Sequence, residues 1–230
     1  MAFHLKTNDL MSLNPDIAII PESATPDIIK RKNPNFMFED ADWFGHNKNK
    51  GLGVYTFNGF RLTRHSSFDS NYELFLPLVV SGKYNLNLVA VWAFNHRSKK
   101  SNLNHPAPTR AAIEYYSDFI KKRPSIVAGD YNHNVIWDKP GHKSNFSCII
   151  DELNSHGLVS AYHAYTKDDF GKELAPTTMW RRNRSQPYHI DYCFISEKLI
   201  NKVERVNVGK AELWLSKSDH MPIVVKIRTS

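Results

Sequence analysis

An α/β layered sandwich is the fold class this sequence predicts, on three observations. Short apolar runs bounded by turn signals recur from residue 17 to residue 227, as strands do. Strand–turn–strand patterns crowd the first half of the chain and strand–helix–strand patterns the second. No repeat, low-complexity run or linker divides the 230 residues, so residues 1–230 read as a single domain. Hydrophobic residues make up 41% of the chain, enough for a substantial core and too many for a disordered one.

Residues 3–13 carry apolar positions at Phe3, Leu10 and Leu13 and predict a helix. It ends at Asn14-Pro15-Asp16, because the residue before a proline resists helical geometry. Ile17-Ala18-Ile19-Ile20 is a continuous apolar run, expected of a strand covered on both faces, and it stops at Pro21-Glu22. Residues 27–50 are polar and basic, interrupted by Trp43, Phe44 and Gly45. Residues 52–57, Asn58-Gly59 and residues 60–63 predict a hairpin, since Asn-Gly supplies the positive φ angles of a two-residue turn. Residues 72–80, Ser81-Gly82-Lys83 and residues 85–93 predict a second one. After a basic loop, residues 109–122 have helical spacing at Ala112, Ile113, Tyr116, Phe119 and Ile120, with Thr109 as cap and Pro124 as stop.

Ile126-Val127-Ala128 then reads as a buried strand ending in Gly129-Asp130-Tyr131-Asn132. Phe146, Ile149, Ile150 and Leu153 mark a helix closed by Gly157. Residues 158–165, 177–181 and 188–195 predict strands, Ser196 caps a short helix, and residues 203–208 and 221–227 are the last strands.

A net charge of +7 favours a polyanionic partner. No apolar run approaches the roughly 20 residues of a membrane helix. The N-terminus lacks the charged-then-apolar layout of a secretion signal, and Cys148 and Cys193 sit in apolar stretches. A cytoplasmic protein with reduced core cysteines is the expectation.

The chemistry lies at strand edges: Glu22, Asp130 with Asn132, Asp191, and Asp219-His220. Each alone has a structural reading as a cap, a turn or a satisfied polar residue. Asp191 is the hardest to explain that way, because a carboxylate in an apolar strand needs a hydrogen-bonding partner, and a histidine is the obvious candidate.

Together these residues match a family. Pro21-Glu22, Gly129-Asp130-Tyr131-Asn132, Ile190-Asp191-Tyr192 and Ser218-Asp219-His220-Met221-Pro222, in that order, resemble the exonuclease–endonuclease–phosphatase superfamily. It includes DNase I-like nucleases, abasic-site endonucleases and inositol-polyphosphate phosphatases. Thr177-Thr178-Met179-Trp180 resembles the family's approach to the Asp191 strand, and the resemblance spans residues 3–227. It implies a four-layer α/β/β/α sandwich, two mixed β-sheets face to face with helices outside. It also implies hydrolysis of phosphate esters with Mg²⁺, or Mn²⁺ in its place. On this resemblance Asp130 is the base for the attacking water, Asn132 orients water or phosphate, and Asp191 positions His220 to donate to the phosphate. Glu22 is a metal ligand, and Asp219 either a further ligand or the residue that fixes His220.

Two departures stand out. The family's first strand, which ends in a metal-binding Asn, has no counterpart ahead of residue 3, so either the start is assigned too late or a central strand is absent; the former is preferred. Trp92 stands where many relatives carry a second catalytic His or Tyr, with Asn95 and His96 as candidates to replace it.

Basic clusters (Lys30-Arg31-Lys32, Lys48 with Lys50, Arg97 with Lys99 and Lys100, and Arg181-Arg182 with Arg184) lie among Trp43, Phe44, Trp137 and Trp180. That mixture suits backbone tracking and base stacking. The expectation is a monomeric nuclease acting on DNA in preference to RNA, with no protein partner inferable. A phosphatase on a small or lipid phosphate and a catalytically weak nucleic-acid-binding protein are the alternatives.

Overall fold

The structure, a computed structural model, describes residues 3–72, 75–93, 107–142 and 145–228. Its strands are β1 (Ile17–Ser23), β2 (Asp40–Asn47), β3 (Lys50–Thr56), β4 (Arg61–Arg64), β5 (Phe75–Ser81), β6 (Leu86–Trp92), β7 (Ser125–Asp130), β8 (Leu158–Ser160), β9 (Thr178–Met179), β10 (Pro187–Tyr188), β11 (Asp191–Ser196), β12 (Val203–Val208) and β13 (Ile223–Ile227). The α-helices are α1 (Thr7–Met11), α2 (Pro26–Lys32), α3 (Ala107–Tyr115), α4 (Ser117–Lys121), α5 (Phe146–Ser155), α6 (Ala161–Thr166) and α7 (Ala211–Trp214).

A six-stranded sheet, ordered β4-β5-β6-β7-β11-β8, runs through the centre. Its one parallel pair, β6–β7, is joined through α3 and α4, as a parallel connection requires. On its outer face Ala112, Ile113, Phe119, Ile120, Phe146 and Leu153 of α3, α4 and α5 pack against Val89, Val91, Val127 and Phe194. On its inner face lie the three-stranded sheet β1-β3-β2 and the pair β12-β13. Leu52 and Val54 meet Leu76, Leu88 and Ala90 there, and Ile223 and Val225 meet Cys193 and Ile195. Ile29 of α2 and Leu10 of α1 cover the far side with Phe3, Phe36 and Tyr55. This is the four-layer α/β/β/α sandwich.

Among the described residues β1 pairs only with β3 and β13 only with β12. The second layer is therefore in two pieces among the described residues. Ile17, Ile19 and Ile20 of β1 are half-buried, not covered on both faces as their apolar run predicts.

Other elements differ from expectation for physical reasons. Asn58-Gly59 does turn, with φ of 56° and 83°, but β3 and β4 diverge into different sheets and form no hairpin. The hairpin partner of β3 is β2, hidden in a stretch whose polar residues mask a half-buried strand. Thr109 lies inside α3, buried, and the helix breaks before α4. Only residues 158–160 of the 158–165 strand are extended; α6 takes the rest. Ser196 caps no amide of the following turn, because its hydroxyl accepts the Ser125 amide at 2.8 Å. Cys193 is buried, whereas Cys148 is half-buried; both are free thiols.

Candidate active site

Strand register builds the site. Asp130 ends β7, and Asp191 opens β11 directly opposite it in the antiparallel ladder. Gly129 has φ of 142°, and a Cβ there would meet the Val91 carbonyl oxygen at 1.9 Å. Only glycine lets β6 come that close to the strand that presents Asp130.

Asp130 is 4% exposed. Its Oδ1 accepts the Asn132 amide at 2.8 Å and its Oδ2 the Asn132 side-chain N–H at 2.9 Å. The Asn132 side-chain Nδ2 also donates to the Ala93 carbonyl at 2.8 Å. Asn132 is held at φ of 50°, a conformation non-glycine residues seldom adopt and one that clusters at functional sites. Burial, and then the nearby Asp191 charge, push the Asp130 carboxyl well above the usual carboxylate range.

His220 arrives from the other side. The segment before β13 is pinned to β9: the Thr178 hydroxyl donates to the Asp219 carbonyl at 3.0 Å and the Met179 amide to the same oxygen at 2.8 Å. The Thr177 hydroxyl accepts the amides of Ile190 and Asp191, each at 3.0 Å. Thr177-Thr178-Met179 is thus the clamp that sets His220 against Asp191, with Nδ1 2.9 Å from Oδ2. Burial alone would lower the His220 pKa, but the Asp191 charge and hydrogen bond outweigh it and hold the ring protonated.

Asp130, Asp191 and His220 offer ligand atoms within 4.8 Å of one another. Asn132 joins them through its hydrogen bonds to Asp130. Glu22 and Asp219 stand outside this cluster. Glu22 sits at φ of 59° where β1 bulges between Ile20 and Ser23, and it pairs with Lys50 Nζ at 3.0 Å. Burial raises its pKa, yet hydrogen bonds and charge from cationic groups, the Lys50 ammonium among them, more than offset this and the carboxyl is held low. Asp219 adjoins His220 and adds to the charge that keeps it protonated.

Trp92 is buried between the sheets, opposite Asp130 in the β6–β7 register. Asn95 and His96 lie outside the described residues. Lys50, 5.5 Å from the Trp92 ring, was legible in the sequence only as one of many surface lysines.

No family model and no curated protein matches the sequence. Solved structures do match. The 3′ phosphatase NExo from Neisseria, bound to a product DNA hairpin, aligns with a TM-score of 0.71 at 14% identity, over 99% of this chain and 96% of that one. An AP endonuclease from Archaeoglobus fulgidus aligns at 0.67 and 14% identity, over 98% and 93%. The endonuclease domain of TRAS1, a telomere-specific non-LTR retrotransposon, aligns at 0.66 and 15% identity, over 99% and 92%. At such identity the likeness is one of fold, and it runs the length of the chain: the protein has the exonuclease–endonuclease–phosphatase fold that its motifs resemble.

Proposed function

We propose that this chain is a divalent-metal-dependent phosphodiesterase that hydrolyses nucleic acid, DNA in preference to RNA. The observation that carries the reading is the cluster of buried Asp130 with half-buried Asp191 and His220, His220 Nδ1 being committed to Asp191. That commitment leaves Nε2–H of a protonated ring as the donor to a phosphate oxygen as charge grows there. Asp130, whose environment raises its proton affinity, takes the proton of the attacking water, and Asn132 fixes the carboxylate's orientation.

The carboxylate oxygens of Glu22 and Asp219 are donors that hard divalent cations select, and they would hold Mg²⁺ or Mn²⁺; at Glu22 the Lys50 pair must yield. When bound, such an ion supplies charge neutralisation at the phosphate oxygens. The relatives in fold that process DNA support a nucleic-acid substrate, as does the net charge of +7.

The test is Mg²⁺-dependent, EDTA-sensitive nicking of plasmid. Asp130→Ala and His220→Ala are expected to abolish it in protein that still unfolds cooperatively; full activity in either sinks the assignment. The 3′ phosphatase among the fold relatives favours a second reading, which release of inorganic phosphate from a 3′-phosphorylated strand without nicking would establish.

A further inference from the structure

Glu22 is placed to be shared between two cations. It sits where β1 bulges, at φ of 59°, a backbone conformation that non-glycine residues seldom adopt and that clusters at functional sites. Its side chain is 27% exposed and meets Lys50 Nζ at 3.0 Å, while the Lys50 side chain remains 43% exposed. We propose that Lys50 is an exchangeable counter-cation of the active site: its ammonium holds Glu22 and yields it to a divalent cation, so that Lys50 sets how tightly the site binds metal. The proposal rests on the metal-dependent phosphodiesterase reading.

Strand register, not a chance meeting of two long side chains, makes the pair. Ser23, next to Glu22, lies opposite Gly51, next to Lys50, in the β1–β3 ladder. The Thr25 amide donates to the Lys48 carbonyl at 2.8 Å, and Trp43 Nε1 donates to the Ser23 carbonyl at 3.0 Å. A Cβ on Gly51 would meet the Phe44 carbonyl oxygen at 2.5 Å, so β2 and β3 are packed too closely there to slide. The backbone thus holds Glu22 and Lys50 together from both sides of the bulge.

The surrounding charges show what Lys50 balances. Burial and then Asp191 dominate the raised pKa of Asp130, and the Glu22 charge adds to it, so these carboxylates share one field. Lys6, whose pKa burial lowers, is drawn the other way by the charges of Asp219 and Glu22. Carboxylates crowded in this way call for counter-charge, which Lys50 gives Glu22 by direct contact. A divalent ion brings twice that charge and binds carboxylate oxygen directly, so it competes for the same atom.

Lys50 can let go at little cost. Pairs open to solvent are weak, and the ammonium already lies 5.5 Å from the Trp92 ring, whose face attracts a cation. Trp92 is the register partner of Asp130 in the parallel β6–β7 pair, which puts both side chains on the same face of the sheet. The displaced ammonium therefore stays on the side that presents Asp130.

The test reads Mn²⁺ binding without nucleic acid or turnover, from the electron paramagnetic resonance signal of the free ion as protein is titrated in. Lys50→Met and Lys50→Gln, which lose the charge, are each expected to bind Mn²⁺ roughly tenfold more tightly than the unaltered protein. Lys50→Arg keeps a cation against Glu22 and should show no gain. Lys48→Met removes the same charge from an exposed position two residues away and should change the affinity little. Glu22→Gln added to Lys50→Met should erase the gain. Unchanged or weaker binding by both charge-losing variants, in protein that unfolds cooperatively in urea, overturns the exchange and leaves the phosphodiesterase reading standing. An equal gain in Lys48→Met does the same. If neither the unaltered protein nor the Lys50 variants bind Mn²⁺, the exchange and the metal-dependent reading fall together.

Discussion

At the scale of single residues, the Asp191–His220 contact carries the most function. Asp191→Asn keeps the shape of the site but removes the charge that holds His220 protonated and oriented, and is expected to lower the plasmid-nicking rate by about 10²–10³-fold with little change in thermal midpoint. Gly129→Ala acts differently. Its Cβ would meet the Val91 backbone in a positive-φ conformation, so the variant should lose about 2–4 kcal/mol in urea unfolding, without a route to relieve it by rotating a side chain. Both residues stood out in the sequence, one as a carboxylate in an apolar strand and the other as a glycine at a strand end. Asn134 and Glu173 did not. A buried Glu looks like any surface Glu until its hydrogen-bond partners, which come from distant parts of the chain, are known.

Single elements explain both the successes and the errors. Strands β5, β6, β7 and β11 are legible because each is a run of apolar residues packed on both faces. β2 is not, because its residues are mostly half-buried and include Asp40 and Asp42, whose partners lie on β4. The loop from α6 to β9 owes its shape to Glu173 bridging His163 and Asn134. Because the folded pKa of Glu173 lies below its ordinary value of 4.5, its contribution is present above that pH and is lost as pH falls through the folded pKa. Glu173→Gln should therefore be less stable by about 1–3 kcal/mol at pH 7, and the difference should shrink as pH is taken below 4.5, read from urea midpoints at each pH. A difference that stays constant with pH would mean the carboxylate's charge is immaterial there.

For the whole molecule, the sandwich makes the six-stranded sheet the most protected layer and the two-piece layer the least. Native-state hydrogen exchange should be slowest for amides of β6, β7 and β11 and markedly faster for those of β13 that face away from β12. With a net charge of +7 and basic residues on α2 and the Trp180–Arg182 turn, DNA binding should weaken steeply and log-linearly with salt. A salt-independent affinity would show that phosphate contacts contribute little.

The sequence by itself determined the fold class, the strands of the central sheet and the four residues that converge on one point, because each is marked by a local conflict: a carboxylate or a glycine where apolar packing would otherwise continue. Only the tertiary structure decided that β3 and β4 part into different sheets and that Glu22 is answered by Lys50. Those outcomes depend on which strand lies beside which, and no run of neighbouring residues carries that information.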